Sequence, residues 1–281
     1  MKKRFSESGI CIREGMLPVV LSIAGSDSSG GAGIQADIKT IMAFGCYGAT
    51  AITAVTCQNT TGVTSVSMMD PEFVACQIQS VFEDFHVASI KSGMLGNADI
   101  MMAVANTIKK YKKNKPYILD PVMVATSGST LTKEQGPHAW EVLIELADLI
   151  TPNIPEASAL SGMKILDYEQ MKEAAVKLYH SYQVPILLKG GHLQENVLID
   201  IFYNGRMIEE FISVKIDTKH THGTGCTLSS AIASCFAKNE KMSDSIKKAR
   251  DYVFKAIQHA PHIGRGNGPL NHNVLQMNPQ D

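Results

Sequence analysis

Short apolar runs alternate with stretches whose apolar residues recur at helical spacing along most of the chain. Val19 to Ala24 is apolar but for one serine, the pattern of a strand covered on both faces. It opens into the loop Gly25-Ser26-Asp27-Ser28-Ser29-Gly30-Gly31-Ala32-Gly33. Ile34, Ile38, Ile41 and Met42 then set a helix from Ile34 to Phe44, stopped by Gly45, and Gly48 to Cys57 has the threonine, valine and isoleucine of a strand. The pattern next predicts a strand at Thr64 to Met68, a helix begun by Asp70 and Pro71, and a strand at Ala88 to Lys91. A helix follows at Asn97 to Lys110, a strand at Tyr117 to Leu119 and a helix at Gln135 to Leu146. Leu149 to Thr151 is short and apolar, Tyr168 to Tyr182 is helical, and Pro185 to Leu188 is a buried strand. Val197 to Tyr203 and Met207 to Val214, joined by Asn204-Gly205, carry the strongest hairpin signal, and helices at Thr227 to Ala237 and Ser243 to Ala260 close the pattern.

Strands alternating with helices predict an α/β fold with a doubly wound, mainly parallel sheet, an antiparallel edge hairpin and helices on both faces. No repeat or low-complexity linker divides it. The reading is one domain over residues 19–272, an N-terminal extension over 1–18 and a C-terminal tail over 273–281.

Five loops at the carboxyl ends of these strands are polar and glycine-bearing: Gly25 to Gly33, Ser92 to Gly96, Asp120 to Gly128, Asn153 to Glu156, and Lys189 to His192. In open α/β sheets ligands bind at those ends, so all five can face one crevice. Thr221-His222-Gly223-Thr224-Gly225-Cys226-Thr227 runs straight into a helix. Its unpaired amides and positive dipole end suit a phosphate over Gly223 to Cys226, and a thiol at such a place has its pKa lowered. On spacing alone, a glycine turn before a core helix with a buried cysteine stands level with that reading.

Gly31-Ala32-Gly33-Ile34-Gln35-Ala36 matches the form of a dinucleotide fingerprint, but no Asp or Glu occurs between Asp37 and Asp70 to hold the ribose. No Walker A or protein-kinase signature occurs either. His220, His222, His259 and His262 read as surface or loop histidines, Cys57 and Cys235 as core thiols, and Trp140, Met101 and Met102 as packing. Asp120, Asn153 and Glu156 offer oxygens of the kind Mg²⁺ prefers, with helix capping by Asn153 and Glu156 the alternative. Lys189, ending a buried strand, must face the crevice or be costly to bury, which suits nucleotide phosphate.

Composition narrows the classes. With 281 residues and 44% of them apolar, a large core is available, and a net charge of -1 gives no case for nucleic acid. Six cysteines without a C-x-x-C pair fit a reducing cytoplasm, and no apolar run reaches membrane-spanning length.

The segments Ile23 to Asp37, Gln58-Asn59-Thr60, Gly93-Met94-Leu95, Asp120-Pro121-Val122-Met123, Thr151 to Ala157, Lys189 to His192 and His222 to Thr227 together resemble the hydroxymethylpyrimidine/phosphomethylpyrimidine kinases of thiamine biosynthesis. These have the ribokinase-like fold. The resemblance implies ATP-dependent phosphorylation of 4-amino-5-hydroxymethyl-2-methylpyrimidine and then of its monophosphate, with ATP as co-substrate and Mg²⁺. It also implies a homodimer. By the same resemblance Gln58 reads the aminopyrimidine edge, with Gly25, Asp37, Met94 and Val122 shaping the pocket. Gly223, Thr224 and Gly225 form the anion hole beside the base Cys226. Asn153 and Glu156 organise magnesium-bound water with Asp120, and Lys189, Thr221 and Gly223 meet the nucleotide. The rival readings are a pyridoxal or pyridoxine kinase of the same fold and a catalytically silent pyrimidine-binding protein.

Overall fold

The computed structural model describes residues 16–123, 136–191 and 197–276. Most of the extension, the last residues of the tail, the loop after Met123 and His192 therefore lie outside the described residues. Nine strands form one sheet: β1 (Val19–Asp27), β2 (Tyr47–Asn59), β3 (Gly62–Met68), β4 (Val87–Ser92), β5 (Tyr117–Leu119), β6 (Leu149–Ile150), β7 (Ile186–Leu188), β8 (Val197–Tyr203) and β9 (Ile208–Val214). Their order is β3-β2-β1-β4-β5-β6-β7-β8-β9. The six strands from β2 to β7 in that order are parallel, while β3 at one edge and β8 with β9 at the other run antiparallel. Only the second of those edges was foreseen as an antiparallel hairpin.

The helices are α1 (Gly33–Ala43), α2 (Pro71–Asp84), α3 (Ala98–Tyr111), α4 (Pro137–Leu146), α5 (Ile154–Ser161), α6 (Tyr168–Tyr182), α7 (Thr224–Ala237) and α8 (Met242–Gln258). Two cores flank the sheet. One gathers Val74, Ile78, Ile100, Met101, Trp140, Ala157 and Leu178 from α2 to α6, and the other gathers Ile41, Leu228, Ile232, Phe236, Ile246 and Tyr252 from α1, α7 and α8. Met101 and Trp140 thus pack as their spacing predicts. The chain moves outward from β1 through α1 on one face and returns to β4 through α2 on the other. The strand order consequently reverses between β1 and β4, the place where a doubly wound sheet leaves a crevice.

Helix α5 was foreseen only through the alternative in which Asn153 and Glu156 cap a helix, and the structure bears that alternative out. Asn153 caps it by accepting from the Glu156 amide at 2.9 Å, while the Glu156 carboxylate accepts from the Asn153 amide at 2.8 Å. Pro155 sits in the first turn, where it needs no amide donor. Helix α7 is buried on every side from Thr227 to Ala237, which its run of serine and alanine permits. Ser89 on β4 donates to the Ala233 carbonyl at 2.7 Å and pins that helix to the sheet.

Cys57 is exposed rather than a core thiol. The far end of β2 pairs only with the edge strand β3, so its residues alternate toward solvent. Cys235 is buried as read.

Candidate active site

The site gathers at the carboxyl ends of β1, β4, β5, β6 and β7, with the N-terminus of α7 above them. Gly223 is the residue before that helix and has φ of 86°, where any side chain is strained. A Cβ there would also drive into the Gly31 carbonyl. Glycine is what lets the turn rest on the β1 loop. Among the described residues, no acceptor meets the amides of Gly223, Gly225 and Cys226. The amide of Thr224 is turned back to the Thr221 carbonyl at 3.3 Å. Three free donors at a helix N-terminus can receive an anion, and the Thr221 carbonyl orients the turn that presents them.

A buried clasp holds this turn to the β1 loop. His222 Nε2 donates to Asp27 Oδ2 at 2.8 Å, and Asp27 also accepts from the amides of Ser29, Gly31 and Ala32 and the hydroxyl of Ser29. Burial would raise the Asp27 pKa, yet the hydrogen bonds from His222, Ser29 and Ala32 outweigh it and hold the carboxylate below its usual value. His220 and His222 are loop histidines, though buried, while His259 and His262 are exposed. Proximity to other histidines gave no hint of a carboxylate partner 195 positions away.

Gln58 reaches the same place. Its amide lies 3.3 Å from His222 Nε2 and 3.2 Å from Thr56 Oγ1. His222 Nε2 is bonded to Asp27, and Thr56 Oγ1 also donates to the Ser26 carbonyl at 3.0 Å. The two neighbours hold the amide with its NH₂ facing His222 and its oxygen accepting from Thr56. A second N–H and a second lone pair stay available to a ligand. Nearby, a Cβ on Gly25 would stand 3.0 Å from Met94 Sδ, and the Met94 carbonyl accepts from both the Gly25 amide and Thr53. Gly25 and Met94 are thus buried against one another, and Val122 is half-buried after β5.

Asp37 does not border it. The carboxylate has no exposed surface, since Lys91, Ser22 and Ser230 take up both its oxygens at 2.6 to 2.9 Å. It lies under the site as a support. Lys91 is as deeply buried, and sequence reading passed over it as the last residue of a strand.

At the ends of β5 and β7, Lys189 pairs with Asp120 at 2.9 Å and Thr151 donates to the same carboxylate at 3.1 Å. A Cβ on Gly225 would stand 3.2 Å from Lys189 Nζ and 3.4 Å from Asp120 Oδ2, which puts the pair directly against the anion hole. Burial opposes the Lys189 charge, but Asp120 and Glu156 raise its pKa above the usual lysine value. Burial, then the Asp120 charge, pushes the Glu156 carboxyl up to about 7 against the pull of Lys189. Two carboxylates held together this way favour a divalent cation between them and retained water. The Asn153 oxygen accepts from the Glu156 amide, which sets the start of the helix that carries Glu156. Among the described residues, no three His, Cys, Asp or Glu side chains form a closed metal cage.

Cys226 corrects the sequence reading of its acidity. Burial pushes the thiol up to about 11, with Asp37 and Asp120 adding to the rise, and Lys91 and the Gly33 amide only partly offset it. The helix N-terminus that suggested a lowered pKa is outweighed by loss of water.

The family model described as phosphomethylpyrimidine kinase matches residues 27–271. A thiamine biosynthesis bifunctional protein ThiED of Geobacter sulfurreducens is 45% identical over 263 residues, covering 93% of this chain and 54% of that protein. A hydroxymethylpyrimidine/phosphomethylpyrimidine kinase of Haemophilus influenzae is 44% identical, covering 90% of this chain and 96% of its own length. The chain thus spans about half of the first protein and nearly all of the second. Among solved structures, an ADP complex of Bacillus subtilis pyridoxal kinase superposes with a TM-score of 0.84 at 35% identity, covering 93% of this chain and all of that one. A phosphomethylpyrimidine kinase of Clostridium difficile 630 superposes at 0.74 with 39% identity, covering 85% and 99%.

Proposed function

The chain belongs to the phosphomethylpyrimidine kinase family, and from that membership we propose that it carries out two transfers from ATP. The first is to the hydroxyl of 4-amino-5-hydroxymethyl-2-methylpyrimidine, the second to the resulting monophosphate. It is a phosphotransferase of the ribokinase-like fold. The observation that carries the assignment of the site is the trio of free amides at Gly223, Gly225 and Cys226, set over the strand ends beside Lys189 and Gln58.

In each transfer the substrate oxygen forms a bond to the γ-phosphorus while the bond from that phosphorus to the β–γ bridging oxygen breaks and ADP leaves. In the first transfer the hydroxyl proton passes to the Cys226 sulfur in its thiolate form; in the second the attacking phosphate oxygen is already ionised and gives up no proton. The amides and Lys189 hold the negative charge of the migrating group, which supplies most of the rate in a loose transition state. Gln58 offers one donor and one acceptor to the aminopyrimidine edge. Asp120 and Glu156 are the residues that would hold Mg²⁺. The ion, when bound, neutralises charge on the nucleotide phosphates. Free cysteines among the described residues support a reducing cytoplasm. A homodimer rests on the resemblance to the family.

Similarity to pyridoxal kinases keeps one second reading in play, activity on pyridoxal. Measuring kcat/KM for the aminopyrimidine alcohol and for pyridoxal under one set of conditions tests the assignment. The pyrimidine is expected to be the better substrate; a higher value for pyridoxal would reverse the order of the two readings.

A further inference from the structure

Lys91 has no exposed surface, and its ammonium donates twice to Asp37, at 2.8 and 2.9 Å. The same Asp37 oxygen that takes one of these bonds accepts from Ser230 Oγ at 2.7 Å. Ser230 is four residues beyond Cys226 on α7, so the two side chains project from one face of the helix. The ion pair therefore lies beneath the first turn of α7, on the side where Cys226 stands. A Cβ on Gly93 would approach Lys91 Nζ to 2.9 Å, which puts the ammonium directly under the Gly93-Met94 turn as well. Burying such a pair costs several kcal/mol of solvation that its own attraction rarely exceeds. A fold that needed only packing here could use apolar side chains.

We propose that Lys91 is a positioning residue for the phosphoryl transfer, its buried charge holding the Cys226 sulfur in reach of the thiolate form, with Asp37 fixing the ammonium in place. The charged groups that bear on the sulfur are Lys91 from β4, Asp37 from α1, Asp120 after β5 and Lys189 after β7. Lys91 is the largest influence that favours the thiolate, and both carboxylates oppose it. Lys189 is committed to Asp120. This inference rests on Cys226 as the proton acceptor.

Peptide-resolved alkylation of Cys226 by iodoacetamide across pH 7 to 12 reads the resting thiol directly. The pH midpoint reports charge and the plateau rate reports access, so a loosened fold and a lost charge give different signatures. Lys91→Met should move the midpoint upward by on the order of one pH unit, a tenfold loss of alkylation at any pH below it. The Asp37→Asn, Lys91→Met double variant leaves no unpaired buried charge, and its midpoint should rise by less, because a carboxylate that opposed the thiolate is gone too. An unmoved midpoint in folded Lys91→Met overturns the proposal; where that variant does not fold, a double-variant midpoint below that of the wild type overturns it. If instead the midpoint moves while Cys226→Ala keeps the wild-type rate, Lys91 still sets the acidity of the thiol and it is the proton-acceptor role of Cys226 that fails.

Discussion

At the scale of single residues, the acidity of Cys226 decides how much the sulfur contributes. A positioned base contributes about 10²- to 10⁴-fold, but with the thiol pushed up to about 11 only a small fraction is thiolate at neutral pH. Cys226→Ala should therefore lose about 10² in kcat at pH 7, the lower end of that range. A base must be deprotonated to act, so the wild-type kcat should climb as pH rises toward 10 while that of Cys226→Ala stays level. A wild-type profile as flat as the variant's would remove sulfur from the reaction. Gln58→Ala should weaken the pyrimidine by on the order of 1 to 3 kcal/mol in kcat/KM, leaving the KM for ATP alone; an unchanged kcat/KM would take Gln58 out of the pocket. Residue types made Lys189 and Cys226 visible in the sequence, and the resemblance to the family added Gln58. They did not reveal Lys91 or the Asp27–His222 clasp, because nothing local marks a buried lysine or histidine whose carboxylate lies 54 or 195 positions away.

Among elements, the turn into α7 and the short helix α5 do different work. Gly223→Ala places a side chain at φ of 86° and against the Gly31 carbonyl, so the turn must lift from the β1 loop. Its kcat should fall by at least the 10²- to 10³-fold typical of losing one donor of an anion hole, and circular dichroism will show whether the fold survives. A variant with full activity would mean that the amides are not where the phosphate sits. Asn153→Ala removes a helix cap worth about 1 kcal/mol, expected as a fall of about 2 °C in Tm, together with weaker magnesium dependence if Asn153 orients Glu156. The long periodic segments were legible: Tyr117–Leu119 and Tyr168–Tyr182 match their predicted bounds, and the hairpin begins one residue later on its second strand. Helix α5 was legible only through its capping pair, since eight residues with a proline in the first turn carry too short an apolar period. The start of α7 fell three residues earlier than its apolar pattern, because Thr224 and Gly225 join the helix through backbone geometry alone.

For the molecule as a whole, the doubly wound sheet reverses its strand order between β1 and β4, and the described residues after β1, β4, β5, β6 and β7 lie at its carboxyl ends, an arrangement that follows from the order of the elements. The antiparallel pairing of β3 was not, because a short strand does not declare its direction. The carboxyl-rich corner gives a pH test that spans these loops. Glu156 must shed its proton to attract a cation, and its pKa is raised to about 7. The apparent affinity for Mg²⁺ should thus tighten as pH rises from 6 to 8, and Glu156→Gln should abolish that trend. An affinity that does not change with pH in the wild type would separate Glu156 from the metal. The most direct test of the central claim is a time course by mass detection of the purified protein with the aminopyrimidine alcohol, ATP and Mg²⁺. The account predicts a monophosphate that rises and then gives way to the diphosphate, each step matched by one ADP; ADP-free mixtures with unmodified alcohol would contradict it.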